Sequence, residues 1–134
     1  MKAKKFTRET IRQLGMSERN FPEFEVGDVV AVSQRIVESD KERLQVFEGD
    51  VIAYRHYGAS STFTVRQISA DSVPVERIFP YYSPLIESIA LVRKGQVRRS
   101  KLYYMRKRVG KAARVQEQVM TREQREQKAA AHKE

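Results

Sequence analysis

The sequence predicts a small all-β domain whose strands curl into a barrel, preceded by a short N-terminal helix and followed by a basic, partly helical C-terminal tail. Three observations carry this expectation. From Gly27 to about Val92 apolar and polar residues alternate with period two, and β-branched and aromatic types dominate, the pattern of half-buried strands. Gly, Pro, Asp and Ser break that region into five short runs. The chain has 134 residues, enough for one compact core and too few for two of ordinary size.

The first element expected is a helix from Thr7 to Leu14. Thr7 can cap its N-terminus, Glu9 suits the positive end of its dipole, and Gly15 can supply a left-handed stop. A connector from Asn20 to Glu25, through Phe21 and Pro22, leads to the first strand. That strand is expected at Val29 to Val37, with Val30, Val32 and Ile36 on one face and Ser33 and Arg35 on the other. The second runs from Arg43 to Tyr54, with a bulge or bend at Glu48, Gly49 and Asp50. The third, Thr62 to Ser69, follows a turn at His56 to Ser61. The fourth, Val73 to Phe79, contains Pro74 and is therefore expected at an edge. The fifth, Leu85 to Val92, is apolar on both sides at Ile86, Ile89, Ala90, Leu91 and Val92 and is expected to be sandwiched. Strands this short, joined by tight turns, bury an apolar face and remove their edges by curling, so an SH3-like barrel is the expected architecture. From Gly110 onward Ala, Gln, Glu, Lys and Arg predominate, which predicts a helix with a narrow apolar stripe at Ala112, Val115 and Val119. The expected organisation is an N-terminal helical extension at residues 1–20, the SH3-like barrel with its basic segment at 21–110, and a helical tail at 111–134.

Charge is concentrated rather than spread. The chain carries 26 Lys plus Arg against 17 Asp plus Glu, a net charge of +9. Arg93, Lys94, Arg98, Arg99, Lys101, Arg106, Lys107, Arg108, Lys111 and Arg114 fall in one window with no acidic residue, so the remainder of the chain is close to neutral. Such a density of cations repels itself unless a polyanion neutralises it, and nucleic acid is the abundant intracellular one. Cysteine is absent, which excludes disulfides, thiol catalysis and Cys-based zinc sites. No apolar run reaches membrane-spanning length, and the basic N-terminus leads into no apolar segment of the signal-peptide kind, so no membrane partner is expected.

No catalytic constellation, metal site or cofactor motif is expected, and so no enzyme. His56 and His132 are far apart in sequence, and His56 reads as an ordinary loop residue. Glu38, Asp40, Glu42, Glu48 and Asp50 form an acidic group that a solvated hairpin and a bulge explain better than a magnesium site. Gly110-Lys111 lacks the surroundings of a phosphate loop. The positive signal is the window from Arg93 to Arg114 itself, where Tyr103 and Tyr104 are interleaved with the cations. Arginine forks take two phosphate oxygens and stack on bases, lysines add charge, and tyrosines offer flat faces. The bland alternatives are a solvated basic face or a patch for anionic lipid, with Leu102, Tyr103 and Met105 plugging the barrel. Arg43, Arg55, Arg66 and Arg77, on or beside strands, extend the basic surface if they face outward.

Val26-Gly27-Asp28-Val29-Val30, the run Glu42 to Ile52, Thr62 to Arg66, Val75 to Pro80, Ser83-Pro84 and Val97 to Tyr104 follow one another in order from about Phe24 to Glu117. This series resembles the family of protein nineteen of the bacterial large ribosomal subunit. The resemblance implies an SH3-like barrel in the cytoplasm, within the ribosome. There it packs on large-subunit rRNA beside neighbouring large-subunit ribosomal proteins, near the interface with the small subunit, and contributes to contacts with small-subunit rRNA. It carries over Arg66, Arg77, Arg98, Arg99, Lys101, Tyr103, Tyr104, Arg106, Lys111 and Arg114 as rRNA-facing or barrel-closing positions. The sequence departs from the family pattern at Gln67, Tyr82 and Pro74, which bears on contacts around residues 67 to 82. The functional class expected is a non-catalytic structural component. The rivals are a free RNA-binding regulatory or chaperone protein and an RNA-processing enzyme that uses the acidic group.

Overall fold

The computed structural model describes residues 7–108, 110–119 and 121–123. Helix α1 covers Arg8–Gln13. Thr7 and Thr10 cap it reciprocally: the Thr7 hydroxyl accepts from the Thr10 N–H at 3.3 Å, and the Thr10 hydroxyl from the Thr7 N–H at 2.8 Å. Gly15, at φ 87°, turns the chain away as expected. A helix of six residues has too few internal bonds to persist alone, and it leans on the turn after the second strand. There Arg12 donates to the Tyr57 hydroxyl at 2.9 Å and lies 4.2 Å from the ring centroid.

Five strands form one antiparallel sheet: β1 (Val29–Glu38), β2 (Lys41–Arg55), β3 (Thr62–Ile68), β4 (Pro74–Pro80) and β5 (Ile86–Arg93), in the spatial order β4-β3-β2-β1-β5. Their bounds lie within one or two residues of those the alternation predicts. Each strand places apolar side chains in a single core: Val30 and Val32, Phe47 and Val51, Phe63 and Val65, Phe79, Ile86 and Ile89, closed at one end by Phe24. Four phenylalanines dominate this core and stack edge to face or offset, as between Phe24 and Phe63 at 5.1 Å. Because the two edge strands feed the same core, the sheet is rolled. Arg77 on β4 crosses the gap to donate to the Gln34 amide oxygen of β1 at 2.7 Å, and its guanidinium packs over Phe79 and Phe47.

Four expectations need correction. First, the barrel does not close by hydrogen bonding: among the described residues no ladder joins β4 to β5. Pro74 and Pro80 at the ends of β4 remove backbone donors, and the seam is crossed by side chains instead. Second, the bulge is not at Glu48 to Asp50, where Val30 pairs with Gly49 in regular register; it lies between Val51 and Ala53, so that Ile52 is the extra residue. Third, β5 is not sandwiched. It is an edge strand with Ile86 and Ile89 in the core and Ala90 and Val92 exposed. Pro74 does mark an edge, that of β4.

The fourth correction concerns the tail. Gly110–Ala113 is a 3-10 turn and Gln116–Glu117 a short strand, β7, which pairs antiparallel with β6 (Gly95–Gln96). Helix propensity loses here to tertiary packing: Ala113 is buried and Val115 packs on a second small core of Ile52, Leu102 and Met105. Val119, expected in an apolar stripe, is 80% exposed. The part of the predicted tail beyond residue 123 lies outside the described residues.

Candidate nucleic-acid interface

The basic segment is held to the sheet by three local devices. The bulge leaves the Ile52 carbonyl outside the β2–β3 ladder, and the Leu102 N–H donates to it at 2.8 Å. Leu102 and Met105 are buried beside Ile52, so the segment is anchored by apolar burial as well. The Asp28 carboxylate, itself only 2% exposed, accepts from the Glu25 N–H at 2.9 Å and from the Gly95 N–H at 3.0 Å, tying the entry of the segment to the turn before β1. At Gly95 a Cβ would stand 2.0 Å from the Gly27 carbonyl oxygen, so only glycine allows this approach. The Gln118 N–H then closes the loop on the Lys94 carbonyl at 2.8 Å.

Within that loop Tyr103–Lys107 forms a 3-10 turn that buries Met105 and leaves Tyr103, Arg106 and Lys107 exposed. Tyr104 is half-buried against the second core and receives two guanidinium groups on its ring, Arg108 at 4.6 Å and Arg99 at 5.5 Å. Arg98, Arg99, Arg108 and Arg114 line one groove of about 720 Å³ around this tyrosine. Arg93, Lys101 and Lys107 are exposed on the same segment, and Lys94 is half-buried. The side chain of Lys111 lies outside the described residues.

The remaining candidates are engaged within the protein. Arg106 is exposed, but its fork is closed on Glu76 of β4, with Nε donating to Oε1 at 2.9 Å and Nη2 to Oε2 at 2.8 Å, while it stacks 4.6 Å from Tyr103. Tyr103 itself is 44% exposed, so of the two tyrosines it is Tyr104 that packs inward. Arg77 is committed to Gln34 and the phenylalanines. Arg66 is 5% exposed, paired across the β2–β3 ladder with Asp50, and its Nη1 is buried without a hydrogen-bond partner among the described residues. Burial pushes the Asp50 carboxyl up from its ordinary range, against the opposing pull of Arg93 and then Arg66.

The acidic group divides accordingly. Glu38 pairs with Arg43 at the exposed β1–β2 hairpin, and Asp50 stands apart near the sheet arginines. Among the described residues no group of three or more His, Cys, Asp or Glu could hold a metal ion, and no helix is long and apolar enough to cross a membrane.

A second groove, of about 670 Å³, shares Val97, Arg98 and Arg99 with the first and is walled by Phe24, Tyr54, His56 and Tyr81. The Tyr54 and His56 rings stack at 4.2 Å and 28°. Burial, with Tyr81 and Tyr82 adding to it, pushes the Tyr54 phenol up to about 12. His56 therefore belongs to an aromatic wall and is more than a loop residue. The signal that marks this wall is the i, i+2 spacing of two rings at the end of a strand, which puts them on one face.

A small all-β protein with an arginine-rich segment anchored on a rolled sheet, and with two tyrosines among the arginines, is the class defined by this fold and surface. The family model of Ribosomal protein L19 matches residues 5–118. The chain belongs to that family, one of ribosomal proteins and not of enzymes. It is 58% identical over 100 residues to the large ribosomal subunit protein bL19 of Clostridium botulinum (strain Hall), covering 75% of this chain and 87% of the relative. The proteins of the same name from Sulfurovum sp. (strain NBC37-1) and Wolinella succinogenes are 53% and 48% identical over 109 residues, 81% of this chain and 92% of theirs.

Proposed function

We propose that the protein is a structural constituent of the large ribosomal subunit that binds large-subunit rRNA near the interface with the small subunit and contributes to contacts with small-subunit rRNA. The observation that carries this reading is the set of four arginines gathered around Tyr104 on one groove and fixed to the sheet through Leu102. Membership of the ribosomal family supports it, and so does the name of the relatives. The rolled sheet would serve as a half-open SH3-like barrel, a rigid spacer between rRNA and neighbouring large-subunit proteins. Residues 1–20, 21–110 and 111–134 would act as extension, binding domain and tail.

In this reading the exposed forks of Arg98, Arg99, Arg108 and Arg114 take phosphate oxygens in pairs, with Arg93, Lys94, Lys101 and Lys107 adding charge around them. Lys111 is assigned to the same role from its place in the segment. Neutralising phosphates lets rRNA helices approach one another, and each neutralised phosphate releases counterions. Arg66, Arg77 and Arg106 act indirectly, by shaping the sheet and the 3-10 turn, and Tyr103 and Tyr104 offer or support stacking surface. The test is replacement of Arg98, Arg99 and Lys101 together by Glu. The expected result is loss of comigration with large subunits on sucrose gradients while the β-sheet circular dichroism is retained. Normal incorporation of that variant would overturn the proposal.

A further inference from the structure

The two grooves share the ridge of Val97, Arg98 and Arg99 but differ in the rest of their lining. On one side stand Arg108 and Arg114; on the other stand Tyr54, His56 and Tyr81, with Glu23 and Glu25 at the same groove. We infer that this ridge divides a single unstacked nucleotide of RNA between them, its phosphates on the arginine side and its base against the Tyr54–His56 wall. The inference rests on the RNA-binding reading above and deepens it.

Three features of the chain carry it. The ring pair Tyr54 and His56 is already stacked, and His56 is exposed, so a base can extend the stack by one more layer. Tyr54 keeps its phenolic proton at any physiological pH, so its hydroxyl remains a donor at the groove. Glu23 and Glu25 repel phosphate and accept hydrogen bonds from the amino groups of bases. They offset the charge of Arg98 and Arg99, which line this groove too, so the aromatic side has no net positive charge for phosphate and a neutral, flat ring is the fitting occupant. Across the ridge Arg108 and Arg114 join the shared Arg98 and Arg99, and among the described residues no carboxylate lines that groove. The pair of grooves is thus complementary to the two ends of a nucleotide. A double helix, whose bases are stacked and paired, can use only the arginine side.

The test uses the full chain and dye-labelled oligoribonucleotides followed by fluorescence anisotropy. One is single-stranded, one is a duplex of equal length, and one is single-stranded but abasic. His56→Ala is expected to weaken binding of the single strand about tenfold, the usual scale for one lost base–aromatic stack, and to change duplex and abasic binding less than about twofold. His56→Phe, which keeps a flat ring, is expected to restore the single-strand affinity. Equal losses on all three RNAs, or no loss on the single strand while Arg108→Gln still weakens it, overturn the nucleotide site and leave the RNA-binding reading intact. Absence of RNA binding by the unaltered protein overturns both.

Discussion

Replacing Asp28 by Ala should cost the domain about 3 kcal/mol, because this side chain ties the basic segment to the sheet. The carboxylate accepts two backbone N–H groups, those of Glu25 and Gly95, in a site where Asp28 is 2% exposed. Hydrogen bonds to a charged acceptor contribute roughly 1.5–3 kcal/mol each. Gly95 is only half-buried and Glu25 is exposed, so water partly replaces the lost acceptor, which favours the lower end of the sum. With a urea slope of about 1.5 kcal/mol per molar for a small domain, the unfolding midpoint should fall by about 2 M. Asp28→Asn keeps an accepting oxygen for one N–H and turns an amide donor toward the other, so its midpoint should fall between the two. Equilibrium urea unfolding followed by circular dichroism measures all three. A midpoint for Asp28→Ala within about 0.3 M of the unaltered protein would refute the reasoning, as would an Asn variant no better than the Ala variant.

Two further outcomes follow from the placement of single groups. Arg108→Gln should weaken RNA binding about fivefold or more and reduce the salt dependence by about one counterion, whereas Arg106→Gln should change affinity less than about twofold, because Glu76 already occupies the Arg106 fork; filter binding at several salt concentrations checks this, and equal losses would contradict it. In alkaline absorbance titration Tyr54 should ionise at about 12, and Tyr54→Phe should delete that late phase. The sign follows from burial, which favours the neutral phenol in the folded protein. The stabilisation is complete below the ordinary tyrosine value and is lost as pH rises through about 12. Complete ionisation of every tyrosine below pH 11 would contradict it.

The strands were legible because half-buried β structure writes itself as alternation, and each of Val30, Val32, Phe47, Phe63 and Val65 sits where period two puts it. The Thr7 cap and the Gly15 stop were legible because both are local. Features that depend on distant partners were not. The bulge falls at Ile52 rather than at the glycine three residues earlier, because Leu102 supplies the donor that an extra carbonyl needs. Residues 116–117 pair as a strand because Gly95 and Gln96 lie beside them, a fact absent from their helix-favouring composition. In the candidate site the run of cations was obvious. Its internal division was not: Arg106, Arg77 and Arg66 are engaged by Glu76, Gln34 and the neighbourhood of Asp50, each on a different strand.

The hydrogen bond from Leu102 to the Ile52 carbonyl also makes folding and ligand binding one linked equilibrium. Leu102 and Met105 are core residues and sit only a few positions from Arg99 and Arg108, so the arginine groove exists only while the sheet is folded. A polyanion that binds the folded groove and not the unfolded chain therefore stabilises the fold by RT ln(1 + [L]/Kd) and raises its melting temperature as the concentration rises. Conversely, a substitution deep in the β2–β3 ladder weakens binding without touching an arginine. Affinities of variants are comparable only after the folded fraction of each is known at the temperature of the assay.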